Sequence, residues 1–183
     1  MGPIEVLWAA LLIVFIIVGI ARTFPKELGV TLMLLVAMLV LVMLEPRIMG
    51  ILAKGVPPVL KPASGANAEV VAFHLYALLL IFITLISYLG VTLTYEGTVP
   101  KGLQGLLMNA GAGLLNGYLF IGTLWFYLDK FHYPMQQWGL IKLPLSSFAQ
   151  SLIRFLPQNI IPQPQDKILI VFVILLLILR VIR

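Results

Sequence analysis

The chain has no cysteine. That excludes disulfides, thiol catalysis and cysteine metal ligands. Charge is scarce as well: Asp, Glu, Lys and Arg make up 10% of the residues, against about 25% in a soluble domain. A water-soluble fold this poor in charge has too little polar surface to stay dispersed. No stretch is both long and polar enough to form a separate soluble domain, and no run of basic residues suggests nucleic acid. No Lys or Arg precedes the first apolar run, which carries Glu5 at its start, and no small-residue cleavage site follows it. The N-terminal segment therefore reads as a retained membrane helix and not as a secretory leader.

What is present is hydrocarbon. Of 183 residues, 61% are hydrophobic, and the mean hydropathy is +1.09. The apolar runs are continuous, not alternating, so helices are the expected way across lipid. A span needs roughly 20 mostly apolar residues. Four such segments run from about Ile4 to Ala21, Leu28 to Leu44, Glu69 to Tyr95 and Leu103 to Leu128. A shorter fifth runs from about Ile168 to Ile182, with Arg180 and Arg183 placed to snorkel. It reads as a span, or else as a helix lying flat or packed on a partner. The expected fold is thus an all-α polytopic membrane protein. It has a four-helix core over 1–130, an interfacial and linker region over 131–167, and a C-terminal membrane helix over 168–183.

The connections carry their own expectations. Arg22-Thr23-Phe24-Pro25-Lys26-Glu27 is too short to do more than fold helices one and two into an antiparallel hairpin, and Pro25 disfavours helix through it. Glu45-Pro46-Arg47 is expected to close helix two. Residues 47–68 then read as an interfacial amphipathic segment or an ordinary ordered loop. Ser146 or Ser147 is placed to cap a short amphipathic helix whose apolar side is Phe148, Leu152, Phe155 and Leu156. Pro157 stops it, and residues 157–165 read as extended linker. Basic residues fall on both sides of the membrane, so orientation is poorly fixed; the turn at Arg22–Glu27 is placed in the cytoplasm.

The most distinctive pattern lies on helix four. Gly105, Asn109, Gly113 and Gly117 recur every four residues, and Asn116 shares their side. Small residues at this spacing let two backbones approach closely in lipid, and the amides can bond across the contact. The alternative is a polar path for a solute, lined by Asn109, Asn116 and Ser87. A second pattern is the turn with Arg22, Phe24, Lys26 and Glu27, an interface anchor or a partner-docking loop. His74, near the start of helix three, is a candidate ligand for a haem or a chlorophyll-type magnesium, or a proton shuttle. It also lies close enough to the interface to be an ordinary polar residue. His132 reads as a solvated loop histidine. No carboxylate pair, Ser–His–acid set or metal-ligand cluster is visible, and all seven acids fall at or near helix ends. An enzyme is therefore not expected, nor a cofactor beyond the pigment possibility and bound lipids.

The chain resembles the colicin V production (CvpA-like) family of small bacterial inner-membrane proteins. Glu5 opens helix one as an acid does there, and Arg22-x-Phe24-x-Lys26-Glu27 matches the family's basic–Gly–aromatic–x–basic–Glu run. Thr23 stands where glycine is usual. Lys101-Gly102-Leu103-Gln104-Gly105, followed by Gly111, Gly113 and Gly117, matches the glycine-rich helix four. The family's preceding Asp-Arg pair is missing, and Asn116 stands where arginine is frequent. The likeness covers roughly residues 4–130. It implies a non-enzymatic envelope role in a bacterial inner membrane, linked to colicin V export. Two other functions stay open: an accessory subunit of a larger respiratory or photosynthetic membrane complex, and a small transporter or channel. The bilayer, other membrane subunits or a second copy are the expected partners.

Overall fold

The computed structural model describes residues 3–55, 68–90, 95, 98, 100–134, 141 and 143–182. Seven helices follow in order: α1 (Ile4–Arg22), α2 (Phe24–Ala53), α3 (Ala68–Leu89), α4 (Leu103–Lys130), α5 (Ser147–Ile153), α6 (Pro157–Ile160) and α7 (Gln165–Val181). The first four are long and apolar enough to cross a membrane. The chain is an all-α, multi-pass membrane protein.

α1 and α2 run antiparallel across the short turn, as expected, but they do not pack on each other as a hairpin. One residue, Thr23, separates them, and α1 packs mainly along α4 instead. The reason is steric. Glycines on both helices let their backbones touch, which gains more dispersion contact in lipid than two leucine-covered faces can. α2 in turn packs on α3, α4 and α7, around a core that includes Leu34, Met38, Leu41, Tyr76 and Leu80.

α2 also runs past its expected end. Pro46 lies inside the helix, which continues to Ala53. Proline forfeits one backbone hydrogen bond there, but Ile48, Met49 and Leu52 extend the buried stripe against the core, and this packing outweighs the loss. Residues 47–53 therefore belong to α2. The rest of the proposed interfacial segment, residues 56–67, lies outside the described residues. α3 ends at Leu89, short of the expected Tyr95. Ser146 caps α5 as the sequence suggests, accepting from the Ala149 N–H at 3.0 Å. The stretch read as extended linker is helical at α6, where Pro157 occupies the first turn, a position that needs no N–H. Pro157 is held against Gly122 of α4; a Cβ there would come within 2.6 Å of the proline Cδ.

Two polar layers bracket the bundle. In one, Ser146 donates to Glu5 at 2.6 Å, Lys130 pairs with Glu45, and Tyr133 donates to Asp129 at 2.9 Å. Burial pushes the Tyr133 phenol above its ordinary range. Arg22 and Glu27 mark the other. The separation is about 25 Å along α1 from Glu5 to Arg22, and about 27 Å along α2 from Glu27 to Glu45, at about 1.5 Å per residue. A bilayer's hydrocarbon core is about 30 Å thick. α7 reaches both layers while packing on α2. Gln165 borders a cavity with Glu45 and Lys130 at one end. Near the other, the Leu176 carbonyl accepts from the Tyr95 hydroxyl at 2.8 Å, and the Tyr95 N–H donates to Pro25 O at 3.2 Å. Burial raises the Tyr95 pKa, with Arg180 pulling the other way.

Candidate functional site

The site is the elbow between α1 and α2. Thr23 turns the chain with φ 75 and ψ 150, a region that is essentially glycine-only. The bend is held by Thr23 N–H to Gly19 O at 3.0 Å and Glu27 N–H to Thr23 O at 3.1 Å. It brings the last residue of α1 next to the first turn of α2. Each charge suits its helix end: Arg22 lies at the negative C-terminus of α1, Glu27 at the positive N-terminus of α2.

Glu27 is fully buried. Arg22 Nε donates to Glu27 Oε1 at 3.0 Å. The Tyr88 hydroxyl and Asn116 Nδ2 donate to Oε2 at 3.1 and 2.8 Å. Asn116 Nδ2 also lies 2.9 Å from the Glu27 backbone carbonyl, and Thr31 Oγ1 donates to Asn116 Oδ1 at 2.6 Å. Arg22 Nη1 reaches on to the Tyr88 carbonyl at 2.8 Å, with the guanidinium 4.9 Å from the Tyr88 ring centroid. Two turns before Asn116 on α4, Asn109 Oδ1 accepts from the Phe24 N–H at 2.7 Å. That N–H is one of the orphan donors at the start of α2, so a side chain of α4 caps α2. All four spanning helices thus contribute to one network.

A buried carboxylate is costly unless it is paired and its oxygens are satisfied. Here both oxygens have donors, and the Arg22 side chain keeps 27% of its surface exposed, which lowers its own desolvation cost. Glu27 sits near a helix end, as expected, yet inside the protein and not at its surface. Chemically the arrangement is a lock: it holds four helices in register, and both carboxylate oxygens of Glu27 accept hydrogen bonds from within the chain.

The glycine stripe surrounds this lock. A Cβ on Gly19 would lie 2.6 Å from Asn109 O and from the Gly113 Cα; one on Gly113 would collide with the Phe15 carbonyl oxygen; one on Gly117 would lie 2.7 Å from the Phe15 Cβ. Gly105 is buried, whereas Gly111 faces open space. Of the proposed path, Asn109 and Asn116 have their amides committed as described, while the half-buried Ser87 has an Oγ with no partner among the described residues. Lys26 is exposed and Phe24 half-buried beside the site. His74 stands apart on α3, its Nδ1 donating to Val70 O at 2.6 Å. Among the described residues no group of three or more His, Cys, Asp or Glu is placed to hold a metal.

Gly19, Thr31 and Tyr88 were not singled out from sequence. Gly19 and Tyr88 carry no local signal, since a lone glycine and an end-of-helix tyrosine are common in membrane helices. Thr31, four residues after Glu27, is the one that spacing alone could have offered.

The site defines a class: a multi-pass helical protein whose buried charge is used to fasten its own spans. Comparison with protein-family models, curated proteins and solved structures finds no match.

Proposed function

We propose that the chain is a non-catalytic structural protein of a bacterial inner membrane, of the colicin V production type. One observation supports this reading above others. The two segments that carry the resemblance, Arg22–Glu27 and the glycine-rich α4, converge on one site, where Asn116, at the position of the family's frequent arginine, donates to Glu27. The elbow also adopts a backbone conformation that favours glycine, the residue usual at the position of Thr23 in that family. The departure is then one of side chain and not of backbone.

The test is complementation. In a bacterium deleted for its own member of the family and selected for impaired colicin V export, expression of this chain should restore export, and Glu27→Ala, at equal membrane abundance, should not. Failure of the wild-type chain to restore export while present in the inner membrane would overturn the reading.

A second reading, an accessory subunit of a larger membrane complex, draws support from α1. Val6, Ile13, Val14 and Ile17 are all more than half exposed, so α1 is gripped along one side only and offers the other to lipid or to a partner helix. Native mass spectrometry of gently solubilised membranes separates the two: stoichiometric foreign subunits favour the complex. The small transporter or channel has least support, because Asn109 and Asn116 already bond within the bundle. Flux through purified protein in liposomes would favour it.

A further inference from the structure

Two cavities follow one another along the seam of α2, α4 and α7. The first, about 320 Å³, has apolar walls that include Leu35, Leu119 and Phe172. The second, about 370 Å³, lies at the polar layer of Lys130, and its walls are partly polar: Glu45, Lys130, Gln163 and Gln165 beside Val42 and Phe126.

Their alignment follows from spacing. Leu35 and Val42 on α2, Leu119 and Phe126 on α4, and Phe172 and Gln165 on α7 are each seven residues apart. Seven residues are two helical turns, so each pair shares a helix face about 10.5 Å apart along the axis. The order rises along α2 and α4 and falls along α7, as an antiparallel helix requires. The cavities are therefore stacked along the same three helix faces, apolar at bilayer depth and partly polar at headgroup depth.

We propose that the two cavities form one groove, the site of one resident diacyl phospholipid with a zwitterionic headgroup. An acyl chain fills the apolar cavity. At the polar end the lipid ammonium sits on Glu45 and the phosphate on Lys130, with Gln163 supplying an amide donor. Charge complementarity selects this occupant. Lys130 and Glu45 pair with each other at a partly exposed position, where an ion pair is worth little, so opening it for two charge-assisted contacts costs little. A purely anionic headgroup satisfies Lys130 and leaves Glu45 without a cation. Access is lateral: Leu115, Ile160 and Leu175 border the apolar cavity and are exposed on the outer surface, which places them among acyl chains in a bilayer.

The full-length protein is reconstituted into vesicles of equal phosphatidylethanolamine and phosphatidylglycerol, re-solubilised, and read by native mass spectrometry. One phospholipid per chain is expected, with the ethanolamine lipid enriched about tenfold over the glycerol lipid, the discrimination of about one charge-assisted contact. Glu45→Gln should keep a phospholipid but bring the two lipids to about equal retention. Leu175→Trp, at an exposed wall position, should lose the lipid at unchanged helix content by circular dichroism. If that variant loses helix, Leu115→Trp at the facing wall serves instead. Retention in the bulk lipid ratio by the wild type, or full retention in a folded tryptophan variant, overturns the proposal.

Discussion

Glu27 and Asn116, 89 residues apart in sequence, meet at 2.8 Å through the Asn116 amide and the buried carboxylate. Around that bond Arg22, Tyr88 and Thr31 complete a network that draws on all four spanning helices. Networks of this kind are strong when complete and damaging when broken, because the low dielectric that strengthens each bond also penalises each orphan.

Removing the carboxylate should therefore cost more than removing one donor. Glu27→Ala removes the acceptor of Arg22 Nε and of the Tyr88 hydroxyl and one of the two bonds of the Asn116 amide, and leaves the Arg22 charge without its carboxylate, so an unfolding cost of about 3 kcal/mol or more is expected. Asn116→Ala should cost about 1–3 kcal/mol. Thermal or denaturant unfolding in detergent measures both. A double-mutant cycle on Arg22→Ala and Glu27→Ala should show coupling; strict additivity would mean the pair is not an energetic unit.

The glycines of α4 should separate cleanly by position. Gly113→Ala forces a methyl into the Phe15 backbone, which cannot retreat as a flexible side chain would, so a loss of about 1–3 kcal/mol is expected. Gly19→Ala, on the facing helix, should behave alike. Gly111→Ala meets open space and should stabilise by about 0.5–1 kcal/mol through helix propensity alone. Equal melting temperatures for Gly111→Ala and Gly113→Ala would contradict backbone contact between α1 and α4.

Thr23 holds a conformation that costs a non-glycine residue about 1–3 kcal/mol. Thr23→Gly should accordingly raise thermal stability. The gain is partly offset by glycine's greater freedom in the unfolded chain, so a net effect of about 1 kcal/mol is expected. A destabilised Thr23→Gly would show that the threonine side chain, and not the backbone, sets the elbow.

The natural absence of cysteine makes topology directly readable. Lys54→Cys and Ser147→Cys should react with an impermeant thiol reagent from one side of sealed vesicles. Lys26→Cys and Thr98→Cys should react only from the other. All four positions are exposed and flank the two polar layers. Labelling of Lys26→Cys and Lys54→Cys from the same side would overturn α2 as a span.

Four spans, their helical character and the place of nearly every charge were legible from residue order, because hydropathy acts locally: each run of apolar side chains prefers lipid whatever its neighbours do. The close spacing of small residues on α4 was legible for the same reason, since four-residue periodicity is a property of one helix. The helix that would meet them was not. Only the tertiary structure chose α1 over α2 as the partner, carried α2 through Pro46, and buried Glu27 beneath Asn116 instead of leaving it at the headgroups. Those outcomes depend on which surfaces fit and which donors fall within hydrogen-bond reach of a carboxylate. Fit and reach are relations between segments far apart in sequence, and no single segment encodes them.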